Sequence, residues 1–193
     1  MPPKFKFTKE EITNAALALT RENGISCLTA RALAAELGCS VKPIFGLFKN
    51  MEEVQHEVLT AAHNLYQDYL REAMADNQYP PYKANGMAYI RFAKEERELF
   101  RLLFMRDRSQ EIIEENKGEI RPLLEMIKKN LGLNEETAYL FHLEMWIYVH
   151  GMATMIATSY LNWDDEFISK GLTDAYIGLK YRFLEREKND AGN

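Results

Sequence analysis

The residues of this 193-residue chain whose types and spacing are suited to chemistry are few. Glu53 and His56 stand at i, i+3, the spacing of a carboxylate–imidazole pair that helical di-iron sites use twice. No second Glu-x-x-His occurs, so that reading has no partner motif. Cys27 and Cys39 are twelve apart, form no Cys-x-x-Cys and have no histidine cluster at zinc spacing, which reads as two small buried thiols. A glycine-rich phosphate loop, a Gly-x-Ser-x-Gly and a Cys–His couple that sequence can place are all missing. These observations argue against an enzyme, and neither a metal nor a cofactor is expected. What remains is a run of donors and small apolar groups between Thr29 and Lys49. Arg31, Lys42 and Lys49 offer cations, Thr29 and Ser40 hydroxyls, and Val41, Pro43, Phe45 and Gly46 small or apolar surface. That mixture suits phosphates and base edges rather than bond making.

Such residues need short helices to present them, and the flanking pattern supplies those. Thr8 with Glu11 is a capping box opening a helix with Ile12, Ala15, Ala16 and Leu19 on one face, which Gly24 ends. Thr29 caps a second helix that buries Leu33 and Leu37 and stops at Gly38. Ser40 then caps a third, with Ile44, Leu47 and Phe48 at helical spacing. Two short helices around Gly38-Cys39-Ser40 form a helix-turn-helix, whose second helix is free to enter a major groove with its leading turn toward phosphate. Pro43 lies in that leading turn, where its missing donor costs little. Pattern alone also admits three small helices of some other bundle.

Every long segment reads helical, so the fold class is all-α. Asn50 caps a long fourth helix reaching about Ala75, and Asp76–Pro81 breaks it. Helices are expected at about 82–95, 97–105, 109–120 and 122–131, the last with Pro122 in its first turn. Asn134 with Thr137 opens a helix to about Leu161, and Asp164 or Asp165 caps a final one to about Arg186. The organisation read from this is a three-helix domain over 1–50, a helical bundle over 51–187 and a polar tail over 188–193.

Composition agrees with a globular protein: 47% hydrophobic and 27% charged. No stretch approaches the roughly 18 apolar residues of a membrane span. No apolar leader follows the first lysines, so a cytoplasmic location is expected. The net charge of −5 is unevenly spread. Residues 1–50 carry seven basic and four acidic side chains, a net of +3, which leaves −8 on the remainder. A basic end on an acidic body suits a protein that meets nucleic acid at that end only.

The run from Thr8 to about Val54 resembles the N-terminal domain of the tetracycline-repressor (TetR) family of transcriptional regulators. The resemblance lies in Glu22-Asn23-Gly24, Leu28-Thr29-Ala30-Arg31-Ala32-Leu33-Ala34, Leu37-Gly38-Cys39-Ser40, Ile44-Phe45 and Phe48-Lys49-Asn50. It implies about nine helices, a homodimer and binding to double-stranded operator DNA. It also implies release by a small-molecule effector, with repression likelier than activation. Two departures matter: Phe45 stands where the family usually has tyrosine, and Met51 where it commonly has lysine. Each removes one phosphate partner.

Trp146-x-x-x-His150-Gly151 resembles a Trp-His-Gly motif in the C-terminal domains of one TetR subgroup, with Gly151 permitting close helix packing. Phe100, Phe104, Met105, Met145, Trp146 and His150 are candidate linings of an effector pocket, and ordinary core is the other reading. A neutral or cationic, partly apolar effector suits the acidic body. For the dimer, Ile168, Leu172, Ala175, Tyr176 and Leu179 form an apolar stripe that Ile156 and Tyr160 are placed to face. Intramolecular packing is the alternative for that stripe. A helical module binding other proteins without DNA remains the competing function.

Overall fold

The computed structural model describes residues 7–107 and 117–190, with side chains throughout except at 117–119 and 187–190. The described residues hold nine α-helices and one 3-10 turn, with no strand among them. The fold is all-α, as expected. They fall into two compact units, drawn from Met1–Asp68 with Glu95–Arg106 and from Tyr69–Lys94 with Asp107–Asn193.

The first unit opens with α1 (Lys9–Asn23). Its capping box is formed: the Glu11 N–H donates to Thr8 Oγ1 at 3.1 Å, and the Thr8 N–H to Glu11 Oε2 at 2.7 Å. Ile12 and Ala16 are fully buried. Gly24 ends the helix at φ 79°, a conformation only glycine adopts at little cost. A 3-10 turn (Ile25–Cys27) leads to α2 (Ala30–Glu36), whose Ala32 N–H donates to Thr29 Oγ1 at 3.2 Å. At its far end Gly38 has φ 60°, with Gly38 N–H bonded to the Ala35 carbonyl and Cys39 N–H to the Ala34 carbonyl. That pair of bonds is the Schellman arrangement.

Next come α3 (Lys42–Phe45) and α4 (Met51–Asp76). Ser40 does not cap α3; Val41 occupies the cap position with no side-chain bond. The cap of α4 is Asn50, whose Oδ1 accepts the Glu53 N–H at 2.9 Å while Glu53 Oε2 accepts the Lys49 N–H at 2.7 Å. Val54, Val58 and Ala62 are the buried positions of α4. The division between units falls inside this helix, so α4 contributes residues to both. The later helix α6 (Arg97–Phe104) packs with α1 in the first unit.

Elements of the second unit are α5 (Pro81–Glu95), α7 (Lys117–Leu131), α8 (Glu135–Ala157) and α9 (Asp165–Asp190), while α6 is Arg97–Phe104. Leu124, Ile127 and Leu131 of α7, Ala138, Phe141 and Met145 of α8, and Phe183 of α9 form one buried cluster. Phe141 and Phe183 meet edge-on with ring centres 5.5 Å apart. Asn134 caps α8 by accepting the Thr137 N–H, and Asp164 caps α9 by accepting the Phe167 N–H at 2.8 Å. Pro122 does not start a helix; α7 begins at Lys117 and carries it inside. Most of the helix expected at 109–120 lies outside the described residues. The eighth helix also ends earlier than expected, at Ala157, because Ser159 takes a positive φ of 58° and its N–H closes on the Ile156 carbonyl. Serine in a position that favours glycine carries no sequence signal of a stop.

Candidate nucleic-acid interface

Leu33 on α2 and Ile44 on α3 are fully inaccessible, and Phe48 is nearly so, which ties the two short helices to the first unit by their apolar sides. What this anchoring leaves outside is the set of residues expected to meet DNA. Thr29, Arg31, Ser40, Val41, Lys42, Phe45, Gly46 and Lys49 are all exposed, and Pro43 is half-buried. Val41 and Phe45 are apolar side chains left 37% and 45% exposed. The Thr29 oxygen is occupied as the α2 cap, but its hydroxyl hydrogen stays available to donate.

One participant escaped the sequence reading. Lys9 Nζ bonds Glu53 at 2.8 Å and Glu57 at 3.1 Å, and lies 5.0 Å from the centre of the Phe48 ring. The Glu53 and Glu57 carboxylates hold the Lys9 ammonium above its ordinary pKa. The Lys49 backbone N–H, and then Lys9, hold the Glu53 carboxyl below its own. Glu53 therefore joins the start of α1 to the chain leaving α3. The contact spans 44 residues, and nothing in local spacing announces it. His56, its expected metal-binding companion, is exposed. Among the described residues no group of three or more His, Cys, Asp or Glu is arranged to hold a metal. Cys27 is exposed and Cys39 half-buried, contrary to the expectation of two buried thiols, because Cys27 lies on the outside of the 3-10 turn.

The candidate pocket residues divide between the units. In the first, Phe100 is buried, Phe104 packs against it and edge-on against Tyr66, each ring centre 5.2 Å away, and Met105 is exposed. In the second, Met145 is buried within the α7–α8–α9 cluster and has almost no surface left for a ligand. Trp146 is exposed and stacks on the His150 ring at 5.0 Å, while Tyr89 hydroxyl and His150 Nδ1 are 2.8 Å apart. Gly151 is not a close-packing glycine within the chain, because a Cβ there would meet nothing.

The candidate dimer stripe needs correction. Ile156, Ile168 and Leu172 are buried inside the chain's own second unit, and Ala175, Tyr176 and Leu179 pack against its core cluster. The first three have no surface to offer a second copy, whereas Ala175, Tyr176 and Leu179 are half-buried and keep some. Of that set only Tyr160 is exposed. The large apolar residues that α8 and α9 leave in water include Leu140, Leu143, Trp146, Ile147, Tyr148 and Met155 on α8, and Phe167, Ile177 and Tyr181 on α9.

Residues 82–172 match the family described as tetracyclin repressor-like, C-terminal domain. The whole chain is similar to the crystal structure of a TetR-like transcriptional regulator from Rhodococcus sp. RHA1. That match has a TM-score of 0.62 and 14% identity, and covers 92% of this chain and 95% of that one. The chain thus has a TetR-like all-α fold and carries, over residues 82–172, a segment similar to the tetracyclin repressor-like C-terminal domain. No curated protein is detectably similar to it. No helix among its described residues is long and apolar enough to cross a membrane.

Proposed function

We propose that this chain is a homodimeric repressor of the TetR type. It binds operator DNA through the α2–α3 helix-turn-helix and is released by a small-molecule effector bound in the second unit. The observation that carries the reading is the exposure of Ser40, Val41, Lys42 and Phe45 on a helix anchored from behind by Ile44 and Phe48. Apolar Val41 and Phe45 held in water are suited to thymine methyl groups, and Lys42 to a guanine edge or a phosphate. Thr29, Arg31 and Lys49 serve backbone contacts. Phe45 brings no hydroxyl to a phosphate, so affinity rests more heavily on the three cations.

One short recognition helix reads too few base pairs for useful specificity, so two copies are needed, with recognition helices about 34–36 Å apart. The exposed stripe of Leu140, Ile147 and Met155 with Phe167, Ile177 and Tyr181 supports a four-helix interface between two copies. Gly151 and Gly178 lie on the same two helices with open space beyond their α-carbons, which lets a second copy's helices approach closely. In this reading the effector favours the arrangement of the dimer that does not fit the operator, and α4, shared by both units, carries the difference.

The deciding experiment is selection of genomic fragments by the purified full-length protein, followed by a salt titration on the enriched sequence. Enrichment of one two-fold symmetric sequence with half-sites one helical turn apart is the expected result. A protein that enriches nothing and shows no salt-sensitive binding to random duplex at low salt is instead a protein-binding helical module.

A further inference from the structure

We propose that Lys83, Ser169 and Thr173, in the second unit, form a binding site for a small organic carboxylate. Lys83 lies in the first turn of α5, and the two hydroxyl residues are one turn apart on α9. The Lys83 ammonium is 2.7 Å from Ser169 Oγ, 2.8 Å from Thr173 Oγ1 and 4.9 Å from the centre of the Tyr79 ring. All three neighbours are neutral. Among the described residues no carboxylate stands within ion-pairing distance of Lys83, and burial pushes its pKa down with no acidic neighbour to pull it back up. Of the acidic residues at the start of α9, Asp164 caps that helix, Asp165 pairs with Lys94 at 3.2 Å, and Glu166 is exposed and makes no ion pair with Lys83.

The position is electrostatically one-sided as well. The first turn of α5 holds Lys83 and no acidic residue, so no carboxylate of that turn offsets the positive end of this 15-residue helix. A half-buried cation there is unfavourable by itself, and an anion relieves both the unpaired charge and the helix end. Counting donors identifies the kind of anion. Two of the three ammonium hydrogens go to Ser169 and Thr173, leaving one. The Thr173 hydroxyl donates to the Ser169 carbonyl at 2.9 Å, whereas the Ser169 hydroxyl accepts from Lys83 and keeps its own hydrogen to give. One N–H and one O–H on adjacent atoms match the two oxygens of a single carboxylate. A phosphate dianion would leave oxygens without donors. Net charge alone favours a neutral or cationic ligand, but a ligand meets the local field first.

The test uses the full-length chain with ¹³C-labelled lysine, titrated with acetate, acetamide and phosphate at constant ionic strength held with chloride. Acetate is expected to shift the Lys83 ε-methylene resonance along a saturating curve while Lys170 and Lys180 on α9 barely move. Acetamide, of the same shape without the charge, produces no saturating shift, and phosphate binds more weakly than acetate. Ser169→Ala weakens acetate by about fivefold, the effect of one hydrogen bond. Lys83→Gln, followed through the Thr173 methyl resonance, abolishes the saturating response; should that variant not fold, Ser169→Ala decides alone. Shifts that are linear and equal across the lysines, a response to acetamide equal to that of acetate, phosphate binding as tight as acetate, or an unaltered affinity in Ser169→Ala would each overturn the site. The measurement does not depend on whether the protein regulates transcription.

Discussion

Arg21 on α1 forks onto Glu96, the residue preceding α6, through two hydrogen bonds; the Glu96 side chain is 1% exposed and the Arg21 side chain 56%. The pair fastens α6 to α1 within the first unit. Removing one partner of a buried pair costs more than removing both, because it strands a charge away from water. Arg21→Ala is therefore expected to destabilise the unit by about 2–4 kcal/mol, at the lower end of the range for breaking such pairs since the guanidinium is half in water. The double variant Arg21→Ala with Glu96→Gln recovers part of that loss. Urea denaturation of the three proteins measures both, and an equal loss in the single and double variants refutes the account.

Two tyrosine–histidine couples give the second unit a pH dependence. Tyr82 hydroxyl and His142 Nδ1 are 3.1 Å apart, and Tyr89 hydroxyl and His150 Nδ1 are 2.8 Å apart. Burial lowers the pKa of both histidines and raises that of Tyr82, so at neutral pH each couple is a neutral ring beside a neutral hydroxyl. A histidine pKa depressed in the folded state supports stability fully above its unfolded value, near 6.5, and withdraws it as pH falls through the folded value. Thermal stability is thus expected to be flat from about pH 8 to 6.5 and to decline below, where carboxylates have barely begun to titrate. Replacing both histidines with glutamine should flatten the segment between about pH 6.5 and 5; an unchanged slope there means other groups carry it.

On α9 the inner and outer faces are separable by mutation. If two copies pair through the exposed face as proposed, Ile177→Glu on that face is expected to give a monomer in sedimentation at micromolar concentration while leaving helicity intact. Ile168→Ala, on the buried face, should instead cost about 2–5 kcal/mol of stability through lost burial and the cavity left behind. Dimerisation unaffected by Ile177→Glu would remove this face from the interface.

Lys49 tests the placement of the phosphate contacts. It is exposed, directly after the buried Phe48, and its backbone N–H is already held by Glu53. Lys49→Ala should lower the slope of log affinity against log salt by about 0.9 per protomer, with similar losses on operator and random duplex. An unchanged slope means that the lysine makes no phosphate contact. Lys42→Ala, nearer the base edges, is expected to reduce the preference for operator over random duplex as well.

How much of this could be read without the structure depends on the range of the interaction involved. Thr8 with Glu11, Thr29, Asn50 and Asn134 cap their helices within three residues of themselves, and Gly24 and Gly38 take the positive φ that their positions demand. Such bonds are written in neighbouring residues, so the helix-turn-helix and its exposed residues were legible by spacing. The stop of α8 at Ser159 and the placement of Pro122 inside α7 were not, because in each the residue present is not the one its conformation favours.

By itself the sequence determined an all-helical chain with two short helices around a tight turn near its start, since capping, turn chemistry and helical period are local. It did not determine which side of α8 and α9 faces inward. Both helices carry apolar residues around much of their circumference, from Ile156 and Ile168 on one side to Ile147 and Ile177 on the other, so a period of 3.6 has no single direction to point. Only packing against the α7–α8–α9 cluster chose among them. The same holds for Lys9 with Glu53, Arg21 with Glu96 and Lys83 with Ser169, whose members lie 44, 75 and 86 residues apart. Their meeting is a property of the folded chain, because nothing along the backbone between them fixes where either side chain will end.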